Sequence, residues 1–539
     1  MQCPLKILAA LTLLLNATAF AQDDPAALWS EATLYRDDYG TPHVYAQNPR
    51  ALGFAFGYAQ AEDHLEAMLM AYRIANGRAA EVAGEKMAAS DEFALRMGHA
   101  RLADYALAHA DEGTVALCTG FAMGVNAYLL ERQDNAPPWA EGVKPQDPIA
   151  LWHAFVTSMA PLDLPGFARP PRAEETGNAW ALAPARTEDG RTLLVINPHN
   201  YFDGAFRWYE AHLSLGDMNI AGATLFGLPL ILQGHNDSLG WALTPNLADF
   251  ADVFQEDPKT PVSRPKEFYE RMDQEVLQAA PMLEYLSHAQ PYYVRTDEGM
   301  KERAAPGMIG TRGPIFDSGG AFYSWTIGGF ADIGAFTQFI AMATARDLGS
   351  FQDALAMQQI PCFNVVYADR EGNVFYLYNA KAGTRAVDEQ PQARRDGEPT
   401  PQAPNWARPL ASNFFNAAWA EVLPMSALPS VLNPPTGYVQ ACGGPPWACT
   451  DDAPLDPTAY PEWFIGETDT FRARRVRQLL RTGTRSFRDM QAMLYDTVVP
   501  AASEMTPILL GMAEAEQKRV AASHPDLQTG LQTLRDWNY

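Results

Sequence analysis

One short pattern formally matches a catalytic signature. Ser263 and Lys266 have the Ser-x-x-Lys spacing of a serine nucleophile with its base. Pro265 stands between them and breaks the helix that must bring both side chains to one face. His199 and His212 lack the spacing that places two metal ligands on one helix face. HExxH, Walker A and GxSxG motifs do not occur in the sequence, so these patterns do not identify the chemistry.

The informative residues follow a proline-rich segment. They form three blocks, Glu174–Leu182 (EETGNAWAL), Asn197–His199 (NPH) and Arg207–Leu213 (RWYEAHL). In this order the blocks resemble the penicillin acylase family of N-terminal-nucleophile hydrolases, and most of all its acyl-homoserine-lactone acylase and aculeacin acylase branch. Further blocks match in the same order, at Gly57–Asp63, Asn76–Arg78, Glu81–Gly84, Gly234–Asn236, Trp241–Thr244, Gly313–Ile315, Asn364–Asp369 and Asn433–Gln440. The resemblance covers nearly the whole chain after its N-terminal leader.

The resemblance implies acyl transfer by a residue that becomes N-terminal when a precursor cleaves itself. The new α-amine then acts as base for the nucleophile on the same residue, and a free α-amine titrates near pH 8. On this basis Thr176 is the predicted nucleophile, released by cleavage after Glu175. Asn364 matches the family asparagine whose side-chain amide stabilises the oxyanion.

The resemblance also assigns supporting residues. Arg385 matches a family arginine that supports the site through charge-assisted hydrogen bonds, and His199 matches the turn residue beside the nucleophile. Asp249 and Asp252 match carboxylates that bind a structural calcium in some members. Two carboxylates alone fit a solvated loop equally well. No organic cofactor is implied.

The sequence departs from the family pattern at the nucleophile. The family serine directly precedes an asparagine, whereas here Gly177 precedes Asn178 and Thr176 stands one residue earlier. A slip of one residue reverses the faces of a strand unless its end is irregular. Two interpretations stay open: Thr176 is the nucleophile, or it is an ordinary loop residue of a degenerate site.

Other departures affect the pocket and the end of the chain. The family's backbone oxyanion donor falls on Pro245, which has no N–H, so that Asn246 or a different register would have to supply the donor. Asn200 stands where relatives often carry an aromatic residue lining the acyl pocket. The chain stops at Trp537–Tyr539 where relatives continue, and we expect the large chain to be incomplete at its C-terminus.

The predicted fold class is α+β. The resemblance implies a four-layer αββα N-terminal-nucleophile hydrolase fold. We divide the chain into a signal peptide (1–21), a helical small-chain region (22–160), a linker or spacer (161–175) and a strand-rich large-chain region (176–539). The small and large chains are expected to form a heterodimer after cleavage.

Local patterns place the individual elements. Alternation around turn residues predicts a hairpin within 28–47, and helical spacing predicts helices over Leu52–Val82, Ala103–Leu130 and Asp147–Met159. Short strands are predicted at Ala179–Leu182, Thr192–Ile196, Thr224–Phe226, Ala321–Ile327, Phe336–Ala341, Val365–Ala368 and Val374–Tyr378.

The N-terminus has the order of features of an export signal. Lys6 precedes the apolar run Ile7–Leu15, which is too short to span a bilayer, and Ala19–Ala21 form a small-x-small cleavage site. We therefore expect a mature chain that begins at Gln22 and is periplasmic or secreted. No later segment reads as a transmembrane helix, so stable membrane insertion is not expected.

Composition limits the partners. The chain has 539 residues, of which 47% are hydrophobic and 19% charged, as in a globular protein. Its formal net charge of −24 argues against nucleic acid and anionic membranes as partners. In an oxidising compartment Cys442 and Cys449, which flank a tight turn, are the best candidates for a disulfide, with two unpaired thiols as the alternative.

Two functions are therefore weighed. The first is a secreted N-acyl amide hydrolase that acts on a small acyl amide, with an acyl-homoserine lactone as the leading substrate. The second is a catalytically silent homologue that binds an acyl ligand or a partner, and Gly177 and Pro245 motivate it.

Overall fold

Thirteen α-helices lie in the described part of the chain. The computed structural model describes residues 25–160, 176–199, 204–256, 290–305, 309–310, 312–318, 320–385, 406, 408–411, 419, 421–452, 455–515 and 525–537. The predicted leader, the linker 161–175, Asn200 and the Ser263–Lys266 pattern lie outside these residues. The helices are α1 (Pro25–Ser30), α2 (Pro49–Ala75), α3 (Ala80–Ala83), α4 (Ala88–Met97), α5 (His99–His109), α6 (Glu112–Glu131), α7 (Asp147–Met159), α8 (Ala335–Thr344), α9 (Leu348–Ala356), α10 (Phe471–Leu480), α11 (Phe487–Met493), α12 (Pro500–Ala515) and α13 (Pro525–Asp536).

The described strands form four sheets. They are β1 (Ala32–Arg36), β2 (Pro42–Ala46), β3 (Thr176–Leu182), β4 (Leu193–His199), β5 (Trp208–Leu215), β6 (Met218–Leu225), β7 (Gln233–His235), β8 (Leu239–Thr244), β9 (Ala251–Glu256), β10 (Gln290–Thr296), β11 (Gly299–Ala305), β12 (Ile309–Gly310), β13 (Gly313–Ser318), β14 (Ala321–Ile327), β15 (Cys362–Asp369), β16 (Val374–Ala380), β17 (Leu410–Ala411), β18 (Ser430–Leu432) and β19 (Tyr438–Ala441). The sheet orders are β1-β2-β5-β6-β7-β8-β15-β16-β18, β12-β13-β14-β9-β17, β19-β3-β4 and β10-β11.

The core lies around the nine-stranded sheet. Helix α2 packs on β1, β2 and β5, while β3 and β4 of the three-stranded sheet pack against β8, and α10 packs on β19. Every residue of β8, β15 and β16 is buried, which explains why these strands read as continuous apolar runs rather than as alternating ones. The mixture of helices and sheets confirms the α+β prediction, and the complete four-layer αββα arrangement stays a prediction.

The two longest helices, α2 and α6, pack at backbone contact. A Cβ atom added to Gly53 would lie 2.1 Å from the carbonyl oxygen of Leu117, and one added to Gly124 would lie 1.9 Å from that of Phe54. Only glycine fits such an approach. The backbones of α2 and α6 therefore approach each other with no side chain between them at these glycines.

Helix α6 also corrects a prediction. The sequence interpretation found no transmembrane candidate after the leader, but α6 has the length and apolar composition to cross a membrane, as the one such helix in the described ranges. Most of its apolar window is buried inside the fold, where it packs against α2. Its apolar character is thus accounted for by packing in the core.

Most local predictions hold, and one is wrong. The predicted hairpin is β1–β2, the helix predicted over 147–159 is α7, and the strand predicted at 321–327 is β14. The strand predicted at 336–341 lies instead within α8. Phe336, Phe339 and Ala343 are all buried on one side of this helix, because their spacing of three and four residues has the helical period.

The predicted disulfide does not form in this structure. Cys442 and Cys449 are both buried and are not joined to each other. Cys442 lies just after β19 and directs its thiol to the carbonyl oxygen of Ala179 over 3.7 Å. Cys449 packs into a different apolar cluster, so the turn between the two cysteines points them into separate parts of the core.

Candidate active site

Strand β3 brings the predicted cleavage junction into the fold. Its pairing with β4 is antiparallel and one-to-one, with Thr176 opposite His199 and Gly177 opposite Pro198. The side chain of Thr176 lies outside the described part of the chain, so its place is known through the backbone of β3. The start of the predicted large chain is thus held as a regular strand.

Gly177 faces the neighbouring sheet. It is buried, and a Cβ atom built on it would lie 3.2 Å from Cγ2 and 3.5 Å from Cβ of Thr244 at the end of β8. Because neighbouring positions of a strand alternate between its two faces, position 177 rather than 176 is turned toward Thr244 in the uncleaved chain.

Thr244 and Asn364 form a cross-strand pair between β8 and β15. Both side chains are buried, and Nδ2 of Asn364 donates to Oγ1 of Thr244 over 3.2 Å and to the carbonyl oxygen of Pro245 over 3.3 Å. On the other end of the amide, the hydroxyl of Tyr376 donates to Oδ1 of Asn364 over 2.7 Å. Burial raises the pKa of Tyr376 well above its usual value, so this hydroxyl remains a donor. The amide of Asn364 is therefore held with its N–H groups toward Thr244.

The residue before Asn364 has a strained backbone. Phe363 has φ +112°, a backbone conformation that residues other than glycine rarely adopt, and such strain costs about 1–3 kcal/mol. Its ring is buried and stacks on that of Phe155 of α7, with the centroids 6.2 Å apart. Packing between the small-chain and large-chain regions thus holds the backbone next to the amide.

His199 lies in a polar group with two asparagines. Its Nε2 is 2.8 Å from Oδ1 of Asn197, to which Nδ2 of Asn178 also donates over 3.2 Å. Oδ1 of Asn178 is buried and has no hydrogen-bond partner in the described residues. Asn178 is the neighbour of Gly177 on β3, so this group lies on the face of the strand opposite to Thr244.

Arg385 forms a second buried group with the two predicted calcium carboxylates. Its Nη1 donates to Asp249 over 2.8 Å, while Nε and Nη2 hold both oxygens of Asp252 at 3.1 and 2.9 Å. The guanidinium lies 3.9 Å from the ring centroid of Trp463 and 4.9 Å from that of Trp406. In the described residues no hydrogen bond joins this group to Asn364. Arg385 therefore stabilises the fold through its ion pairs with Asp249 and Asp252.

These carboxylates do not fit a calcium site in this arrangement. Calcium takes six to eight oxygen ligands, and the described part of the chain contains no cluster of three or more His, Cys, Asp or Glu side chains that could hold a metal ion. Arg385 already supplies the positive charge between Asp249 and Asp252. Burial, followed by the charge of Asp249, raises the pKa of Asp252 to about 6 against the attraction of Arg385.

The side-chain amide of Asn246, the residue after Pro245, is engaged elsewhere. Nδ2 of Asn246 donates to the carbonyl oxygen of Asn379 over 2.9 Å, and Oδ1 of Asn246 is buried without a partner in the described residues. The carbonyl of Pro245 points at Asn364 and accepts from it. The side-chain amide of Asn246 is thus directed away from Asn364.

The structure separates the predicted residues into three groups. Asn364 pairs with Thr244, which faces Gly177, while His199 belongs to the polar group with Asn197 and Asn178. Arg385 pairs with Asp249 and Asp252. Sequence reasoning missed Thr244 and Tyr376, the two side chains that bond Asn364. The available signal for Thr244 was its place at the end of the matched block Trp241–Thr244.

A separate cavity of about 220 Å³ lies in the small-chain region. It is lined by Arg73, Arg78, Glu141 and residues around them, and none of its lining residues belongs to the three groups. The chemistry assigned by the sequence therefore does not take place in this cavity.

Comparison with known proteins identifies the class. The penicillin amidase family profile matches residues 31–539, so the chain belongs to the penicillin amidase family. This confirms the resemblance found in the sequence and supports hydrolysis of amides as the reaction type.

Individual relatives are acylases. The chain is similar to acyl-homoserine lactone acylase PvdQ of Pseudomonas fluorescens strain Pf0-1, at 24% identity over 95% of this chain and 72% of that protein. It is also similar to PvdQ of Pseudomonas syringae pv. syringae, at 26% identity over 99% and 74%. Aculeacin-A acylase of Actinoplanes utahensis is 27% identical over 64% of this chain and 49% of its own. Among solved structures, thermostable penicillin G acylase from Alcaligenes faecalis overlaps with a TM-score of 0.43 and 19% identity, over 61% and 55% of the two chains.

Proposed function

We propose that this protein is a secreted N-acyl amide hydrolase whose leading substrate is an acyl-homoserine lactone. Membership of the penicillin amidase family supports amide hydrolysis, and the names of the PvdQ relatives support the substrate. The leader sequence supports export to the periplasm or beyond. The proposal includes the four-layer αββα fold and no organic cofactor.

The proposed reaction begins with cleavage of the precursor between Glu175 and Thr176. The freed α-amine of Thr176 takes the hydroxyl proton as Oγ1 attacks the acyl carbonyl, and the negative charge moves to the carbonyl oxygen. Nδ2 of Asn364 stabilises that oxyanion. Collapse breaks the C–N bond, and the protonated amine of Thr176 returns its proton to the leaving amine. Water then hydrolyses the ester with the same amine as base.

One observation carries the proposal: the start of β3 lies against the end of β8, where Asn364 points its amide. The residue expected to become N-terminal and the predicted oxyanion donor thereby meet at one place in the fold. Cleavage removes the peptide bond before Thr176, so that the terminal residue gains the freedom to turn toward Asn364, which the intact strand register denies it.

Buried hydrogen bonds between the two regions favour a stable heterodimer after cleavage. Gln60 of α2 donates to the carbonyl oxygen of Leu228 over 3.0 Å and accepts from the backbone N–H of Gly227 over 2.6 Å. Tyr72 donates to the carbonyl oxygen of Gly227 over 2.6 Å. These bonds do not depend on the linker 161–175, so the small chain is expected to stay bound when the linker is cut.

A silent homologue that binds an acyl ligand or a partner is the second candidate. Gly177, which carries no nucleophile, is the position of β3 that faces Thr244, and both N–H groups of Asn364 already have acceptors within the protein. Under this alternative the chain stays in one piece and hydrolyses no acyl amide.

Hydrolysis of N-octanoyl-homoserine lactone tests the proposal. The wild-type protein is expected to release octanoate, Thr176→Ser to retain activity and Thr176→Ala to lose it. Thr114→Ala is the matched control, because Thr114 lies at the start of α6, where its hydroxyl donates to Asp111. Equal activity of Thr176→Ala and Thr114→Ala would overturn Thr176 as nucleophile, and an inactive wild-type protein would favour the silent homologue.

A further inference from the structure

By the resemblance to the family, matched without gaps, the backbone oxyanion donor falls at the position directly after β8. Pro245 occupies that position and has no N–H, and its carbonyl oxygen accepts a hydrogen bond from Asn364. A single donor leaves an oxyanion poorly stabilised, since loss of one oxyanion-hole donor lowers kcat by about 10²–10³-fold in hydrolases. A hydrolase with Pro245 at this position therefore needs a second donor near Asn364, from a neighbouring backbone N–H or from a side chain.

Thr244 has the features of such a donor. Its side chain is 2% exposed, and its Oγ1 accepts from Nδ2 of Asn364 over 3.2 Å. A hydroxyl that accepts one hydrogen bond still has its own hydrogen to donate. Within the part of the chain that the structure describes, the hydroxyl hydrogen of Thr244 has no acceptor, which leaves it available to a ligand.

Thr244 also lies next to the start of β3, the strand that begins with the proposed nucleophile. Its Cγ2 and Cβ are the nearest atoms to a side chain built at Gly177, on the strand whose first residue is the proposed nucleophile. The hydroxyl is on the same short side chain and is directed to Asn364. An acyl carbonyl oxygen placed between β3 and Asn364 is therefore within reach of both donors.

The hydrogen bonds around Asn364 strengthen this donor. Tyr376 donates to Oδ1 of Asn364, whose Nδ2 donates to Thr244, and a hydroxyl that accepts such a bond becomes a better donor itself. The bonds from Nδ2 are 3.2 and 3.3 Å long, at or beyond the upper end of the normal range, so that exchanging one for an oxyanion costs little.

We infer that the hydroxyl of Thr244 is the second oxyanion donor of this site and takes the place of the backbone N–H that Pro245 lacks. Thr244 gives a hydrogen bond and keeps its proton, so no covalent bond to it forms or breaks. The inference rests on the proposed hydrolase function and adds a catalytic residue to it. Under this inference the oxyanion accepts one hydrogen bond from the amide of Asn364 and one from the hydroxyl of Thr244.

The kinetic test compares Thr244→Val, which keeps the shape and removes the hydroxyl, with Thr244→Ser, which keeps the hydroxyl. With N-octanoyl-homoserine lactone we expect Thr244→Val to lower kcat by about 10²–10³-fold with KM within about threefold, and Thr244→Ser to stay within about threefold of wild type. Thr224→Val is the matched control, because Thr224 is also buried, on β6, and its hydroxyl donates to the carbonyl oxygen of Leu225. If Thr244→Val and Thr224→Val have the same kcat, the inference is wrong while the hydrolase function stands.

A binding measurement separates this inference from the hydrolase function. Octanoate is titrated calorimetrically into wild type, Thr244→Val and Thr224→Val, since a carboxylate oxygen occupies the same donors as an oxyanion. We expect about tenfold weaker binding to Thr244→Val alone. If wild-type protein hydrolyses nothing but shows this difference, the hydrolase proposal fails and the donor role of Thr244 survives. Equal binding to all three proteins, or no binding to wild type, overturns the donor role.

Discussion

Tyr376 holds the amide of Asn364 by a hydrogen bond of 2.7 Å to Oδ1, and this contact decides which end of the amide faces Thr244. The two residues lie on adjacent strands, β15 and β16, and both are buried. With the carbonyl end held, the N–H groups are directed to Thr244 and Pro245. The orientation of the proposed oxyanion donor is thus fixed before a substrate arrives.

Tyr376→Phe is expected to lower kcat for the acyl amide about fivefold to tenfold. The substitution leaves Oδ1 of Asn364 without its donor, and a lost hydrogen bond costs about 1 kcal/mol. Tyr367→Phe is the matched control, because that buried hydroxyl donates to Asp369 over 2.9 Å on the same strand as Asn364. Steady-state kinetics check the pair. An equal loss of kcat in both variants would show that Tyr376 contributes only to the stability of the sheet.

Gly177→Ser is expected to destabilise the fold by about 1–2 kcal/mol. The new Cβ would lie 3.2 Å from Cγ2 of Thr244, which is closer than ordinary packing allows. Thr244→Ser removes that methyl group, so the double variant is expected to regain most of the loss. Urea unfolding of the single and double variants measures this coupling. Additive losses would mean that position 177 does not contact Thr244.

Arg385→Met is expected to lower the free energy of unfolding at pH 8 by about 3–5 kcal/mol. The substitution leaves the buried carboxylate of Asp252 with the indole N–H of Trp419 but without its cationic partner, and this is the cost of breaking a buried ion pair. The pKa of Asp252 is already raised to about 6, and the loss of Arg385 raises it further. At pH 5 Asp252 is mostly protonated with or without Arg385, so the difference from wild type is expected to shrink. A difference that stays constant between pH 5 and pH 8 would contradict the ion pair.

His153→Leu is expected to make the fold more resistant to acid. Burial lowers the pKa of His153 to about 4, whereas an unfolded histidine titrates near 6.5. Between these values the unfolded state binds the proton, so wild type loses about 1.4 kcal/mol per pH unit through this residue as the pH falls. His109→Leu, at an exposed position on α5, is the control. Urea unfolding from pH 7 to pH 4 checks the slopes, and equal slopes in both variants would contradict a neutral buried His153.

The sequence predicts the elements whose signals are local. Pro148 in the first turn and a continuous apolar run define α7 to the residue, and turn residues between alternating segments define the β1–β2 hairpin. The strand predicted at Phe336–Ala341 is wrong, because a short apolar segment fits a strand as well as the buried helix that it forms. Such ambiguity is resolved by tertiary packing, which a single sequence does not show.

The candidate site is predicted only in part, for a related reason. Asn364, Arg385 and the β3 junction follow from matched blocks, but the partners of Asn364 depend on the register between β8, β15 and β16. Residues more than a hundred positions apart, such as Thr244 and Asn364, become neighbours only through that pairing. The pairing of both carboxylates with Arg385, in place of a metal ion, is likewise a property of the folded chain.

The N-terminal sequence and intact mass of every polypeptide recovered after export test the central claim most directly. The account predicts two chains that copurify, with the large chain beginning at Thr176, and a single uncleaved chain for Thr176→Ala. A well-folded wild-type protein that remains one chain starting near Gln22 would contradict the claim, and would leave the silent homologue as the function of this fold.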